Sequence, residues 1–124
     1  MVGMKVLFDT NILIDYLNGI PQAQKEIDRF KKSEISILTK MEVLVGAKGE
    51  DEDQNIRSFL SRFEVIPVDN VIAELAIQIR RSKPIKLPDA IIYATAKSRD
   101  RLLVTRNTKD FDPDGIDVRC PYVL

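Results

Sequence analysis

Asp9, Glu42, Asp89 and Asp110 are the residues of this chain best placed to do chemistry. Asp9 directly follows the apolar run Val6-Leu7-Phe8, and Asp110 lies in the polar loop that follows Leu102-Leu103-Val104. Glu42 comes shortly after Ile35-Ser36-Ile37-Leu38, and Asp89 opens a long apolar stretch. If the apolar runs are neighbouring strands, all four acids reach one rim of a sheet. Carboxylates gathered there repel one another until something positive neutralises them. Hard oxygen donors of this kind suit Mg²⁺ or Mn²⁺. The natural chemistry is phosphodiester hydrolysis, in which metal activates water and screens the phosphate.

Composition removes most competing chemistries. The 124 residues contain no histidine, which excludes Ser-His-Asp and Cys-His catalysis, imidazole bases and histidine zinc sites. Cys120 is the sole cysteine, so neither an internal disulfide nor a cysteine metal motif is available. Lys plus Arg and Asp plus Glu both number 19, for a formal net charge of zero. A chain holding nucleic acid by overall charge is normally basic, so RNA binding would need a local basic patch or a partner. Asp9 interrupts the first apolar run, against a signal peptide, and no stretch reaches the roughly 20 apolar residues of a membrane span. The expected location is the cytoplasm. The length suits one domain over residues 1–124.

The elements that would position these acids alternate. Lys5 to Phe8 reads as a buried strand; Asp9-Thr10-Asn11 offers a helix cap, with Ile12, Leu13, Tyr16 and Leu17 at helical spacing. A second helix is expected around Ala23, Ile27 and Phe30. Ile35 to Leu38 reads as the second strand, with Thr39 starting a helix through Val43, Leu44 and Ala47. Glu50 to Asp53 open another helix, where acids suit the dipole, and Ile56, Phe59, Leu60 and Phe63 form its stripe. Val65 to Val68 is a third strand, and Asp69 caps a helix through Ile79. Arg80 to Lys86 is expected as a basic loop, Pro88 and Asp89 as the start of a buried helix to Lys97, and Leu102 to Val104 as the fourth strand. An edge strand is expected near Val118. Strands alternating with helices predict an α/β chain, a three-layer α/β/α sandwich with a short, mostly parallel sheet. Ligands bind such sheets at the carboxyl rim.

Four segments, taken in order, resemble the motifs of PIN-domain ribonucleases: Asp9-Thr10-Asn11-Ile12-Leu13-Ile14-Asp15, Thr39-Lys40-Met41-Glu42, Leu87-Pro88-Asp89-Ala90, and Thr105-Arg106-Asn107 through Asp110-Phe111. The closest likeness is to the VapC toxins of prokaryotic toxin–antitoxin pairs, and it spans essentially the whole chain. The resemblance implies a metal-dependent endoribonuclease acting on tRNA or other structured RNA, restrained by a cognate antitoxin and forming a homodimer. It makes Asp9, Glu42 and Asp89 the core metal-binding carboxylates, using Mg²⁺ or Mn²⁺. Family members place the fourth acid where either Asn107 or Asp110 stands; Asp110 is favoured, with Asn107 as a polar contributor. Asn11 and Thr105 would orient carboxylates from behind, and Thr39 belongs to the same supporting set.

Each residue has an ordinary reading beside the functional one. Asp9-Thr10-Asn11 can simply cap a helix, Thr39-x-x-Glu42 fits a capping box, and Asp89 suits a first helical turn. Asp110 can be a solvated loop acid. Arg80, Arg81, Lys83 and Lys86 can grip RNA phosphates or merely solvate a loop. The run Asp9-x-Asn11 also invites comparison with aspartyl-nucleophile phosphatases, which usually want an acid where Asn11 stands. A non-catalytic binding module and a housekeeping RNA-processing nuclease are the remaining alternatives. The co-occurrence of the acids, not any single one, favours the nuclease.

Overall fold

The computed structural model describes residues 5–124. Its chain order is β1 (Val6–Phe8), α1 (Thr10–Leu17), α2 (Pro21–Arg29), β2 (Ser33–Ser36), α3 (Ile37–Val45), α4 (Glu50–Leu60), β3 (Glu64–Ile66), α5 (Asn70–Ser82), α6 (Leu87–Ser98), β4 (Leu102–Val104) and β5 (Val118–Arg119). The five strands form one sheet in the order β3-β2-β1-β4-β5, with every pairing parallel. The expected α/β/α architecture is therefore present.

The middle strand explains the layering. All three residues of β1 are fully buried, and successive side chains alternate between faces. Leu7 joins one core with Ile72, Ala76, Ile79, Ala90, Ala94 and Leu103, beneath α5 and α6. Val6 and Phe8 join the other with Ile12, Leu13, Ile27, Ile35, Ile56 and Phe63, beneath α1 to α4. Phe8 sits edge-on to both Phe30 and Phe63, with ring centroids 6.1 and 6.0 Å away. Alanines on α6 let α5 and the sheet approach closely. From β1 the chain steps outward through β2 to β3, then returns past β1 to β4. The order thus reverses between β1 and β4, where parallel sheets open a crevice at their carboxyl ends.

Several boundaries differ from expectation. The second strand stops at Ser36, whose hydroxyl accepts the Leu38 N–H at 3.1 Å and caps α3. Ile37 and Leu38 are therefore helical, and Thr39 lies inside α3 rather than capping it. The third strand is Glu64–Ile66, ending before Pro67. Arg80 and Arg81 belong to the last turn of α5, where cations suit the helix dipole, so the expected basic loop shrinks to residues 83–86. The edge strand near Val118 is β5.

The amino rim is tied by Glu34, only 5% exposed on β2. Arg99 and Arg101 both grip it with two hydrogen bonds, at 2.9 and 2.8 Å and at 3.0 and 3.2 Å. The turn after α6 aims them: Asp100 takes a left-handed conformation (φ 54), and Arg101 N–H closes on Ala96 C=O at 2.8 Å. The two guanidiniums hold the Glu34 carboxyl down to about 2 from its ordinary 4.5. A depressed folded pKa contributes stability above the unfolded value and loses it as pH falls through the folded one, here between pH 4.5 and 2. Glu34→Gln should lower unfolding free energy by about 3 kcal/mol at pH 7 in urea melts, with the difference shrinking toward pH 3. An undiminished stability at pH 7 would contradict this account.

Candidate active site

Asp9 leaves the end of β1 and caps α1 with extended backbone (φ −74, ψ 157). Its N–H donates to Val104 C=O at 2.9 Å, so the residue stands where the strand order reverses. Its side chain serves two needs. Oδ1 accepts from Thr10 N–H at 2.7 Å, and Oδ2 accepts from the Thr105 hydroxyl at 2.8 Å and from Asn11 Nδ2 at 3.3 Å. The cap and the functional reading of Asp9-Thr10-Asn11 coexist.

The hydrogen bonds dictate one another's direction. Arg106 N–H donates to Asn11 Oδ1 at 3.1 Å, which turns the Asn11 amino group toward Asp9 and Thr105. The Thr105 hydroxyl accepts from Asn11 Nδ2 at 3.2 Å and from Asn107 N–H at 3.0 Å. Its single proton is left for Asp9. Asn11 thus faces Asp9 as a donor and carries no acid with which to assist a phosphatase.

Glu42 is held by a second hydroxyl. Thr10 Oγ1 donates to Glu42 Oε1 at 2.7 Å, while the Thr10 and Thr39 hydroxyl oxygens are 2.9 Å apart. The carboxylate only accepts, so Thr10 gives it its proton and receives one from Thr39. Thr39, fully buried, supports Glu42 through Thr10. Thr10 had looked like part of a cap alone; only the fold brings it onto an acid 32 positions away.

Asp89 is half-buried in the first turn of α6. Asp110 and Asn107 bond reciprocally, Asn107 Nδ2 to Asp110 Oδ2 at 2.9 Å and Asp110 N–H to Asn107 Oδ1 at 3.2 Å. Buried Phe111 anchors their loop against Tyr93. Burial pushes the Asp9 carboxyl up to about 6; the Thr105 and Thr10 hydrogen bonds oppose the rise, and repulsion from Asp89 and Glu42 adds to it. Burial also raises Asp89, helped by the charges of Asp110 and Glu42 and opposed by Lys86. Asp9 therefore feels the charges of Asp89 and Glu42, and Asp89 those of Asp110 and Glu42. Among the described residues, however, no three acidic, histidine or cysteine side chains close tightly enough to cage an ion.

The donor set fits a hard cation for another reason. Among the described residues four carboxylates are buried: Asp9, Asp15, Glu26 and Glu34. Three are forked by arginine: Asp15 by Arg106 at 2.6 and 3.0 Å, Glu26 by Arg119 at 2.7 and 3.1 Å, and Glu34 as above. Among the described residues, Asp9 has no basic partner. A buried carboxylate without a counter-charge is costly, and a bound cation would offset that cost.

Of the basic residues expected near the site, Lys86 acts electrostatically on Asp89. Lys83 lies over the Tyr93 ring at 5.2 Å and lines a cleft of about 380 Å³ with Thr108, Lys109 and Asp110. Arg80 and Arg81 are exposed on α5. On the other flank, a groove of about 520 Å³ runs beside Glu42 between Ile14, Leu17, Val43 and Ile56.

A family model described as the PIN domain matches residues 6–112, and the chain belongs to that family. A protein of Shigella flexneri described as tRNA(fMet)-specific endonuclease VapC is 33% identical over 125 residues, 90% of this chain and 93% of that protein. A toxin–antitoxin complex from Klebsiella pneumoniae contains a chain that is 43% identical, with a TM-score of 0.90 over 96% of this chain and 99% of its own. DNA-bound VapBC from Salmonella typhimurium matches at 26% identity with a TM-score of 0.75, covering 94% of this chain and 96% of that one.

The raised Asp9 has a measurable consequence. A carboxyl whose folded pKa lies above its unfolded value costs the folded state as pH rises from 3.8 through 6. Asp9→Asn removes that titration, so without divalent metal its stability relative to wild type should rise by about 1–2 kcal/mol between pH 5 and pH 8. Melts in EDTA at both pH values would show this, and an equal difference from wild type at the two pH values would contradict it.

Proposed function

We propose that this chain is the toxin of a toxin–antitoxin pair, a metal-dependent endoribonuclease whose single domain spans residues 1–124. The observation that carries the reading is the unneutralised, buried Asp9 beside Asp89 and Glu42 at the crevice of a parallel sheet. A buried charge left without a basic partner opposes folding, and a bound cation at that point would offset the cost.

In this reading Asp9, Glu42, Asp89 and Asp110 hold Mg²⁺ or Mn²⁺. Such a cation supplies Lewis acidity toward the phosphodiester and eases deprotonation of water. The chain's own residues do the positioning. Thr105 and Asn11 aim Asp9, Thr10 aims Glu42 with Thr39 behind it, and Asn107 steadies Asp110. Lys83 and Lys86, with Lys109, offer phosphate contacts on the Asp110 side. Arg80 and Arg81 would meet only more distant parts of a long RNA.

The substrate proposed is tRNA, supported by the Shigella relative described as a tRNA(fMet)-specific endonuclease. The partner is an antitoxin that inserts a segment into the acidic cleft, supported by the toxin–antitoxin complexes among the structural neighbours. A homodimer would join two sites and gather a basic groove that the neutral monomer lacks. The described residues contain no helix long and apolar enough to cross a membrane, and a cytoplasmic location agrees with an RNA target.

Cleavage of purified tRNA by the antitoxin-free chain tests this. Discrete fragments should form with Mg²⁺ or Mn²⁺ and vanish in EDTA. Asp89→Asn and Glu42→Gln should each lower the rate by at least about 100-fold, the scale expected when charge stabilisation worth several kcal/mol is lost. Cleavage that survives EDTA, or survives Asp89→Asn, would refute the assignment.

A further inference from the structure

Asp15 lies one turn beyond Asn11 on the same face of α1, a spacing at which helical side chains are neighbours. Both residues hold Arg106, at opposite ends. Asn11 Oδ1 takes its backbone N–H, while Asp15 takes its guanidinium through two hydrogen bonds at 2.6 and 3.0 Å. Tyr122, from the segment after β5, adds its hydroxyl to Asp15 Oδ2 at 2.8 Å. Asp15 is 5% exposed, and its partners Arg106 and Tyr122 are half-buried over it.

The consequence lies in the Thr105–Arg106 peptide. Its Thr105 hydroxyl gives a proton to Asp9 Oδ2, and its Arg106 N–H decides which end of the Asn11 amide faces Asp9. If the Arg106 backbone shifts, Asn11 loses the bond that fixes its Oδ1, and only its two donor bonds, to Asp9 Oδ2 at 3.3 Å and to the Thr105 hydroxyl at 3.2 Å, still hold its amide. The donors aimed at the buried carboxylate are then less firmly placed. The guanidinium fork fixes the Arg106 backbone as an anchor fixes a rope, and Tyr122 secures the anchor.

We propose that Asp15, Arg106 and Tyr122 form a positioning clamp that sets the orientation of Asn11 and Thr105, and through them Asp9, for the reaction. This rests on the ribonuclease reading above. None of the three is a catalytic residue; each acts through the Asn11–Asp9 pair. Glu34 with Arg99 and Arg101 provides the matched comparison. It is the same kind of buried carboxylate forked by guanidinium, at the opposite rim of the sheet.

Two measurements test the clamp, one of which needs no activity. In metal-free protein, the side-chain amide of Asn11 is followed by ¹⁵N NMR in wild type, Arg106→Lys, Tyr122→Phe and Glu34→Gln. Lysine keeps the charge of Arg106 but cannot make the fork. The first two variants should shift the Asn11 amide and speed its exchange with water; Glu34→Gln should leave it in place. In tRNA cleavage, Arg106→Lys should lower kcat by roughly 10- to 100-fold with KM within about twofold, the range seen when partners behind a metal site are removed. Tyr122→Phe, which removes one hydroxyl and disturbs folding least, should move kcat in the same direction by less. Glu34→Gln should lower the melting temperature and leave kcat unchanged. An Asn11 amide indifferent to Arg106→Lys and Tyr122→Phe would overturn the clamp. So would a kcat that falls equally in Glu34→Gln. If wild type cleaves no RNA, the ribonuclease reading fails while the NMR experiment still decides whether the clamp exists.

Discussion

The backbone, rather than the chemistry of its own side chain, decides where Asp9 sits. It follows a strand flanked on both sides by parallel neighbours and covered on both faces by helices, so its carboxylate emerges in a nearly dry crevice. Leaving a charge there without a counter-ion opposes folding. Much of the surrounding structure answers that constraint. Thr10 N–H, the Thr105 hydroxyl and the Asn11 amide each present a proton to it, and the first two hold its pKa to about 6 rather than higher.

The same fold shows how it treats a buried acid with a purely structural role. Glu34 and Glu26 each face arginine, and the forks stitch β2 to the α6–β4 turn and α2 to β5. Asp15 is treated in the same way but stands directly behind the crevice. The contrast divides the buried carboxylates into those the chain neutralises for itself and one it leaves for something else. Hydroxyl and amide donors, unlike guanidinium, aim a carboxylate without cancelling its charge, and so keep it available to a cation.

The layering, and the rim position of Asp9, Glu42 and Asp89, were readable from the sequence because short apolar runs and helical stripes recur with regular spacing. Asp9, Glu42 and Asp89 stand at fixed points relative to those runs, so their gathering at one rim followed from topology. Boundaries were less readable. Ile37 and Leu38 look like the end of a strand, yet the Ser36 hydroxyl starts the helix before them. Arg80 and Arg81 look like a loop beside Lys83 and Lys86, although α5 continues through them because their charges suit its carboxyl end. Thr10 and Asp15 fall inside a segment whose importance was evident while their partners were not. Glu42 and Arg106 reach them across 32 and 91 positions, and no local pattern reports such a pairing.

Titration of Mn²⁺ into the purified, metal-free chain, followed by calorimetry, addresses the central claim that Asp9 and its neighbours await a divalent cation. Wild type should bind at pH 8 and bind more weakly at pH 5, where protons compete for Asp9, and Asp9→Asn should lose most of the affinity at both. Equal binding by Asp9→Asn, or none by folded wild type at pH 8, would contradict the account.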